Sequence, residues 1–246
     1  MFLFRKKPEP PFVSAVVAAA GKASRMEGID KQQAPLGSLP VIVRNLEALS
    51  LSGVVREIVL VCPPELIPVY FAMVKDYGLS LVSSVVGGGS SRQESVFAGI
   101  AACEKSAEYF AVHDGARPLA DPELLADCLK AAELYGAAAP GITPRDTVKR
   151  VTEKGFAAAT LPREELVLIQ TPQVFEAGLY REAMAAALRD GVSCSDDCQL
   201  VERLGKSVFI VPGQGGNLKI TTPEDLACAA AILRLREEGL ECLLSE

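Results

Sequence analysis

Histidine is almost missing from this chain: the 246 residues contain one, His113. A histidine-ligated metal centre needs several imidazoles, and no triad pattern surrounds the single ring. His113 alternates with Asp114 in the apolar run "YFAVHDG", so on a strand the two side chains point to opposite faces. The histidine is read as structural. A basic surplus is also missing. Twenty-five Lys and Arg face 31 Asp and Glu, for a net charge of −6, which argues against a surface that tracks a nucleic-acid backbone. No apolar run approaches the roughly 18 residues of a membrane-spanning helix. The opening "MFLFRKKPEPP" has too short an apolar part, and the wrong charge order, for a secretion signal. It is read as a mobile arm over residues 1–11 of a cytoplasmic protein. The seven cysteines, at 62, 103, 128, 194, 198, 228 and 242, are odd in number and widely spaced, as expected for reduced thiols. Cys194 and Cys198 form the only close pair, and no second pair or nearby histidine completes a zinc site.

Glycine is scarce in the loop where nucleotide motifs would need it. The stretch "VVAAAGKASRM", Val16 to Met26, joins a small apolar run to Gly21, Lys22, Ser24 and Arg25. A G-x-x-x-x-G-K-[ST] loop would need glycine at Val16 and a hydroxyl residue at Ala23. A G-x-G-x-x-G fingerprint would need glycine at Ala23 and Met26. The stretch "EIVLVCPP" also ends without an acidic ribose ligand, which argues against a nicotinamide oxidoreductase. What remains is a backbone-rich anion loop with cations at Arg25 and Lys31.

Strand-like and helix-like segments alternate through "FVSAVVAA", "LPVIVRNLEALSLSG", "EIVLVC", "PPELIPVYFAMVKDYG", "LSLVSSVV", "SSRQESVFAGIAACEK", "YFAVHDG" and "DPELLADCLKAAELYG", the last with Asp121 as N-cap. This alternation predicts an α/β fold, Rossmann-like in layout, with a mostly parallel sheet and helices on both faces. Ligands in such folds bind beyond the carboxyl ends of the strands. The pattern breaks after Ile142. Short polar–apolar alternations follow, read as a protruding β-arm over about residues 143–171, before α/β character returns with "EAGLYREAMAAALRDG". The expectation is a single domain over 1–246 with this insertion.

Three further stretches fall at the same sheet edge. In "GGGSSRQESVFAG", Ser91 and Glu94 form a capping box after a glycine turn, which is either a nucleotide-contacting turn or a flexible connector. In "VHDGARP", Asp114 ends a strand and could hold Mg²⁺ on phosphates, with Arg117 for a second anion. In "GGNLKITTPEDL", Lys219 lies before a helix opened by Thr222 and Pro223. Asp196 and Asp197 of "SCSDDC" are read first as an N-cap, with a role in the site as the other reading. Together these pieces suit a nucleoside triphosphate plus a second anion, with a metal and several cations.

The ordered motifs "AAGKASRM", "KQ", "GGGSSRQESV", "HDGARP", "RDTVK", "TPQVF", "SDDCQLVE" and "VPGQGGNLKITTPEDL" make the chain resemble the 2-C-methyl-D-erythritol 4-phosphate cytidylyltransferases, from about Val13 to Leu233. The resemblance implies transfer of a cytidylyl group from CTP to the polyol phosphate, with Mg²⁺ as cofactor. It implies CTP contacts from Ala19, Ala20, Gly21, Gly89, Ser90 and Ser95, and transition-state stabilisation by Arg25 and Lys31. Asp114 would serve metal and substrate, and Arg117, Thr147, Arg163 and Lys219 would position the polyol phosphate, Arg163 and Lys219 as part of the catalytic set. It further implies a homodimer through the β-arm, with Thr147 and Arg163 reaching the partner's site. A ribitol 5-phosphate enzyme and a non-catalytic nucleotide-binding relative are the alternatives. The chain departs from the pattern at Ala23, where the family has glycine, and at Gly216, where some relatives carry an acidic residue.

Overall fold

A computed structural model describes residues 10–21 and 30–240 of the chain. Strand β1 (Val13–Ala18) is followed by a small ladder of β2 (Pro35–Leu36) with β3 (Leu39–Pro40), and then by helix α1 (Val41–Leu51). Next come β4 (Val55–Cys62), α2 (Ile67–Asp76), β5 (Val82–Gly87), α3 (Arg92–Ala102), β6 (Tyr109–Asp114), α4 (Pro122–Tyr135) and β7 (Ala137–Ile142). A two-stranded hairpin of β8 (Lys149–Val151) and β9 (Ala157–Thr160) interrupts the series. The chain closes with β10 (Leu168–Ile169), β11 (Gln173–Glu176), α5 (Ala177–Asp190), α6 (Asp197–Arg203), β12 (Phe209–Pro212) and α7 (Pro223–Glu237).

The main sheet runs β10-β7-β11-β6-β1-β4-β5, with β12 on β7. Pairs β1–β4, β1–β6, β4–β5 and β7–β12 are parallel; β11 lies antiparallel between β6 and β7. The fold is therefore the mostly parallel α/β sheet that the alternation predicts. The excursion after Ile142 differs in one respect from its reading. Its last part, β10, rejoins the main sheet against β7, so the separate hairpin spans only Lys149 to Thr160.

Alternation along the strands divides the core. Val13, Ala15 and Val17 of β1 pack with Ile42 and Leu46 of α1 and Leu125 of α4. Val16 packs on the opposite face with Val96 and Ile100 of α3 and Tyr180 of α5. Both faces are thus covered, as a sheet buried on both sides requires. Local signals end the helices where expected: Gly136 takes φ 83° at the end of α4, a left-handed cap that glycine adopts at low cost, and its N–H donates to Ala132 O at 2.7 Å. A smaller cluster of Leu36, Val41, Leu119, Ile220 and Ala229 docks α7 against the β2–β3 ladder. This places the segment carrying Lys219 beside the ends of β1 and β6.

Register fixes what meets at the carboxyl edge. Ala18 of β1 pairs with Asp114 of β6 on one side and Val61 of β4 on the other. The loops after β1, β5 and β6 therefore open at the same edge. Among the described residues no helix is long and apolar enough to cross a membrane.

Candidate active site

A cavity of about 580 Å³ lies at that edge, within the usual range for ligand sites. The loop after β1 contributes Ala18, Ala20 and Gly21; the turn after β5 contributes Gly89, Ser90, Ser91, Arg92 and Ser95. Asp114 and Ala116 come from the end of β6, Lys31 and Gln32 from the segment before β2, and Lys219 and Thr221 from the approach to α7. Arg25, Lys22 and Ala23 lie outside the described residues, as do residues 1–9 and Cys242.

The turn after β5 is shaped by close approach. A Cβ on Gly88 would stand 2.3 Å from Ala20 Cβ and 2.8 Å from Ser95 Oγ. Only glycine lets the two loops meet there. The Ser91 hydroxyl caps α3 by accepting from Glu94 N at 3.1 Å. The reciprocal half of the predicted capping box is displaced by one residue: Glu94 Oε2 accepts from Ser90 N and Ser90 Oγ, both at 2.7 Å. Those bonds with Ser90 hold the Glu94 carboxyl below its usual value. Ser95 Oγ donates to Ser91 O at 2.8 Å and accepts from Gly89 N at 3.2 Å, so its hydroxyl organises the turn. Ala19 is buried beneath the cavity and its N–H is spent on Val61 O at 2.8 Å.

Asp114 is the only carboxylate on the cavity wall among the described residues. Lys219 Nζ stands 2.8 Å from Oδ2, Arg92 Nε 3.2 Å from Oδ1, and Arg117 Nε 3.7 Å from Oδ2. Burial opposes the charge on Asp114, but Arg92, Lys219 and Arg117 outweigh it and hold the carboxyl well below the usual carboxylate range. Arg92 also reaches Asp197, at 2.6 Å from Nη1 to Oδ2. Three cations thus meet two carboxylates, leaving a local positive excess in an acidic protein.

Several candidate residues lie off the cavity wall. Arg117 does not line the cavity; its side chain is 11% exposed and Nη1 donates to Asn217 O at 2.7 Å, tying down the segment that carries Lys219. Thr147 and Arg163 are exposed beside the hairpin, away from this chain's cavity, and Arg163 Nη1 donates to Arg145 O at 2.7 Å. Asp196 alone caps α6, accepting from Gln199 N at 3.0 Å. Asp197 is not a cap: it is buried, with Arg92 on one oxygen and the Tyr180 hydroxyl on the other. Asp121 occupies the N-cap position of α4 without a side-chain capping bond; its carboxylate pairs with Arg236 at 2.8 Å.

His113 is buried and supports the site from behind. Its Nδ1 lies 3.0 Å from Thr171 Oγ1 and its Nε2 3.2 Å from Arg117 O. Thr171 Oγ1 accepts from Asp114 N at 3.0 Å, and Asn45 Nδ2 donates to the carbonyls of Asp114 and Arg117. Burial lowers the ring to about 4, so it is neutral, with its proton on the nitrogen facing the Arg117 carbonyl. No group of three or more His, Cys, Asp or Glu side chains could hold a metal among the described residues.

Sequence comparison decides the family. The profile of the 2-C-methyl-D-erythritol 4-phosphate cytidylyltransferases matches residues 13–235. The chain belongs to this family. A cytidylyltransferase of this name from Pelotomaculum thermopropionicum is 42% identical over 231 residues, 93% of this chain and 97% of that one. Another, from Dehalococcoides mccartyi strain CBDB1, is 41% identical over 223 residues, 90% of this chain and 96% of that one. The solved structure of the enzyme from Thermus thermophilus is similar with a TM-score of 0.75 at 34% identity, over 91% of this chain and 99% of that one. That of the 4-diphosphocytidyl-2C-methyl-D-erythritol synthase from Anaerococcus prevotii has a TM-score of 0.80 at 29% identity, over 92% of this chain and all of that one.

Within this family member, sequence reasoning missed three contributors. Arg92 sits inside a quoted motif, but only the fold shows it bridging two carboxylates. Gln32 lines the cavity with its Oε1 buried and without a hydrogen-bond partner. Asn217 is fully buried and donates to Thr171 O at 2.9 Å, fixing the turn before Lys219. Arg92 and Asn217 have no local sequence signal, because their partners are distant along the chain, and the exposure of Gln32 to the cavity depends on the fold.

Proposed function

We propose that this protein transfers a cytidylyl group from CTP to 2-C-methyl-D-erythritol 4-phosphate, releasing pyrophosphate. One observation carries the reading: Lys31, Arg92, Asp114 and Lys219 converge with two backbone-rich turns on one cavity, in a chain of the cytidylyltransferase family. The triphosphate lies along the turns after β1 and β5. The second substrate's phosphate oxygen attacks the α-phosphorus in line; a new P–O–P bond forms as the bond to pyrophosphate breaks. The attacking phosphate is already anionic, so no base is required, and the neutral His113 stays out of the chemistry. Catalysis consists of holding two anions together and offsetting charge that spreads over the leaving group. Lys31 and Lys219 take that part, joined by Arg25 outside the described residues.

The backbone groups of Gly89 and Ser90, with Ala20 and Gly21, form the nucleotide side of the cavity. A narrow turn of this kind suits a pyrimidine edge and excludes a purine. The donor set suits Mg²⁺ carried in by the triphosphate, since Mg²⁺ is usually held by one or two carboxylates plus phosphate oxygens. Asp114 would offer that carboxylate as Lys219, 39% exposed and so able to move, turns to phosphate. Bound there, the ion would neutralise phosphate charge.

The hairpin supports a homodimer. It exposes Val151 and Phe156, at 63% and 71%, and carries Arg163 and Thr147 nearby. In the assembly we propose, these two residues complete the partner's polyol-phosphate site. Residues 143–167 act as an arm on one nucleotidyltransferase domain, and the cysteine pattern supports a reducing, cytoplasmic setting.

A panel of CTP, UTP, ATP and GTP against methylerythritol 4-phosphate and ribitol 5-phosphate, with pyrophosphate release as the readout, tests the reading. CTP with methylerythritol phosphate should give the highest kcat/KM. A higher value with ribitol phosphate would reassign the polyol, and no turnover with any pair would overturn the proposal.

A further inference from the structure

Asp197 lies off the cavity wall, yet it ends a line of contacts that reaches it. Its side chain is 1% exposed. Oδ1 accepts from the Tyr180 hydroxyl at 2.5 Å and Oδ2 from Arg92 Nη1 at 2.6 Å. Tyr180 is fully buried, edge-on to Phe110 with ring centres 6.2 Å apart and stacked on Phe175 at 4.9 Å. It cannot follow a shift of the arginine. From Asp197 the line runs through Arg92 to Asp114 Oδ1 at 3.2 Å, and from Asp114 Oδ2 to Lys219 Nζ at 2.8 Å. Rigid core is at one end and a cavity cation at the other.

We infer that Asp197 is a positioning residue for the transfer reaction: it anchors the Arg92 guanidinium at the cavity wall and thereby orients Asp114 and Lys219. The inference rests on the transferase reading above. Fold stability alone accounts poorly for the carboxylate. A buried ion pair adds little net stability, because desolvation offsets the attraction. Asp196 already caps α6, so the helix does not need Asp197 to start. The anchoring contact is also the shorter of the two that Arg92 makes with carboxylates, 2.6 against 3.2 Å. A guanidinium is a planar fork, so fixing one edge fixes the direction of the other. Without Asp197, the mobile arginine would swing toward an incoming triphosphate, release Asp114, and leave Lys219 paired more closely with that carboxylate instead of with phosphate.

The test combines substitution with a double-mutant cycle. Asp197→Asn keeps the shape and removes the charge. Its kcat should fall by about 10- to 100-fold, the scale for a reacting geometry shifted by roughly 1 Å. The KM for CTP should move by no more than about threefold, because the lost interaction acts in the transition state. In an Arg92→Met background the same substitution should lower kcat by less than about twofold further, since the two residues act as a unit. Tyr180→Phe, which keeps the buried ring, should lower kcat in the same pattern but less, and guards against failure of Asp197→Asn to fold. Full additivity with Arg92→Met, or a rise in KM with kcat preserved, would overturn the positioning role. Wild-type protein without turnover would instead overturn the transferase reading. The relay is then read from the guanidinium itself: in a crystal structure of Asp197→Asn the Arg92 fork should leave Asp114 Oδ1, and an Arg92 fork still on Asp114 would overturn it.

Discussion

Gly88 and Gly99 allow the site and the core to be perturbed by the same single methyl group. A Cβ at Gly88 would stand 2.3 Å from Ala20 Cβ, whereas one at Gly99 would stand 2.4 Å from Val16 Cγ1 and 2.8 Å from Val61 Cγ2. Carbon atoms pack at about 3.5–4.0 Å, so either change demands a shift of more than about 1 Å. Overpacking of this kind costs about 1–3 kcal/mol. Gly99 lies within α3, where alanine regains about 1 kcal/mol of helix propensity, so the net loss is up to about 2 kcal/mol. At about 2–4 °C per kcal/mol for a chain of this size, Tm should fall by a few degrees in Gly99→Ala and by up to about 10 °C in Gly88→Ala. Activity should separate the two. Gly88→Ala pushes Ala20 and Ser95, both on the cavity wall, apart, and kcat/KM for CTP should drop by about 10²-fold. Gly99→Ala strains only the contact of α3 with β1 and β4, and kcat/KM below Tm should stay within about twofold, as for a site remote from the chemistry. The assays are thermal unfolding and pyrophosphate release at 25 °C, well below either transition. Normal kcat/KM in Gly88→Ala, or an equal loss in Gly99→Ala, would refute the placement of CTP between the turns after β1 and β5.

Asp114→Asn should raise the Mg²⁺ concentration for half-maximal rate with little change in fold; superimposable Mg²⁺ titrations would remove Asp114 as a metal residue. Mixing Arg163→Ala with Lys31→Ala should restore activity, because each mixed dimer carries one site with both residues intact, and no recovery despite proven subunit exchange would exclude a shared site. His113 is held neutral by burial, at about 4 against about 6.5 in an unfolded chain, so the unfolded state binds more protons between those values. Stability should fall as pH drops from about 6.5 to about 4, by up to about 3 kcal/mol, and urea unfolding of His113→Gln should show a flatter decline in that window; an unchanged decline would assign the effect to other groups.

Much of this architecture was legible because it rests on local signals. Continuous apolar runs mark β1, β4 and β6, with Asp114 at the end of β6 and Gly21 in the loop that follows β1. Ser91 announces the start of α3 by its spacing from Glu94, and Thr222 followed by Pro223 that of α7. Long-range pairing was not legible. Nothing in "TPQVF" says that β11 inserts antiparallel between β6 and β7, since strand order depends on contacts far along the chain. Arg92 and Asp197 are 105 positions apart, and Asp197 looks the same in sequence as its capping neighbour Asp196. One side chain of that pair turns back to cap α6 and the other into the core, a choice made by the packing of α6 and not by residue type. Arg117 reads in sequence as an anion ligand beside Asp114; that it also ties down the segment carrying Lys219, through Asn217 O, was equally illegible.

The central claim is that a cavity of cations and backbone turns joins two phosphates directly, without a base or a covalent enzyme intermediate. The most direct measurement follows oxygen. Methylerythritol 4-phosphate labelled with heavy oxygen on its phosphate is incubated with CTP, Mg²⁺ and the protein, and the products are read by phosphorus NMR and mass spectrometry. The account predicts that all label stays in the CDP-linked alcohol, including the new bridge to the α-phosphorus, with none in pyrophosphate. Label in pyrophosphate, CMP as the main product, or cytidylyl attached to the protein would contradict it.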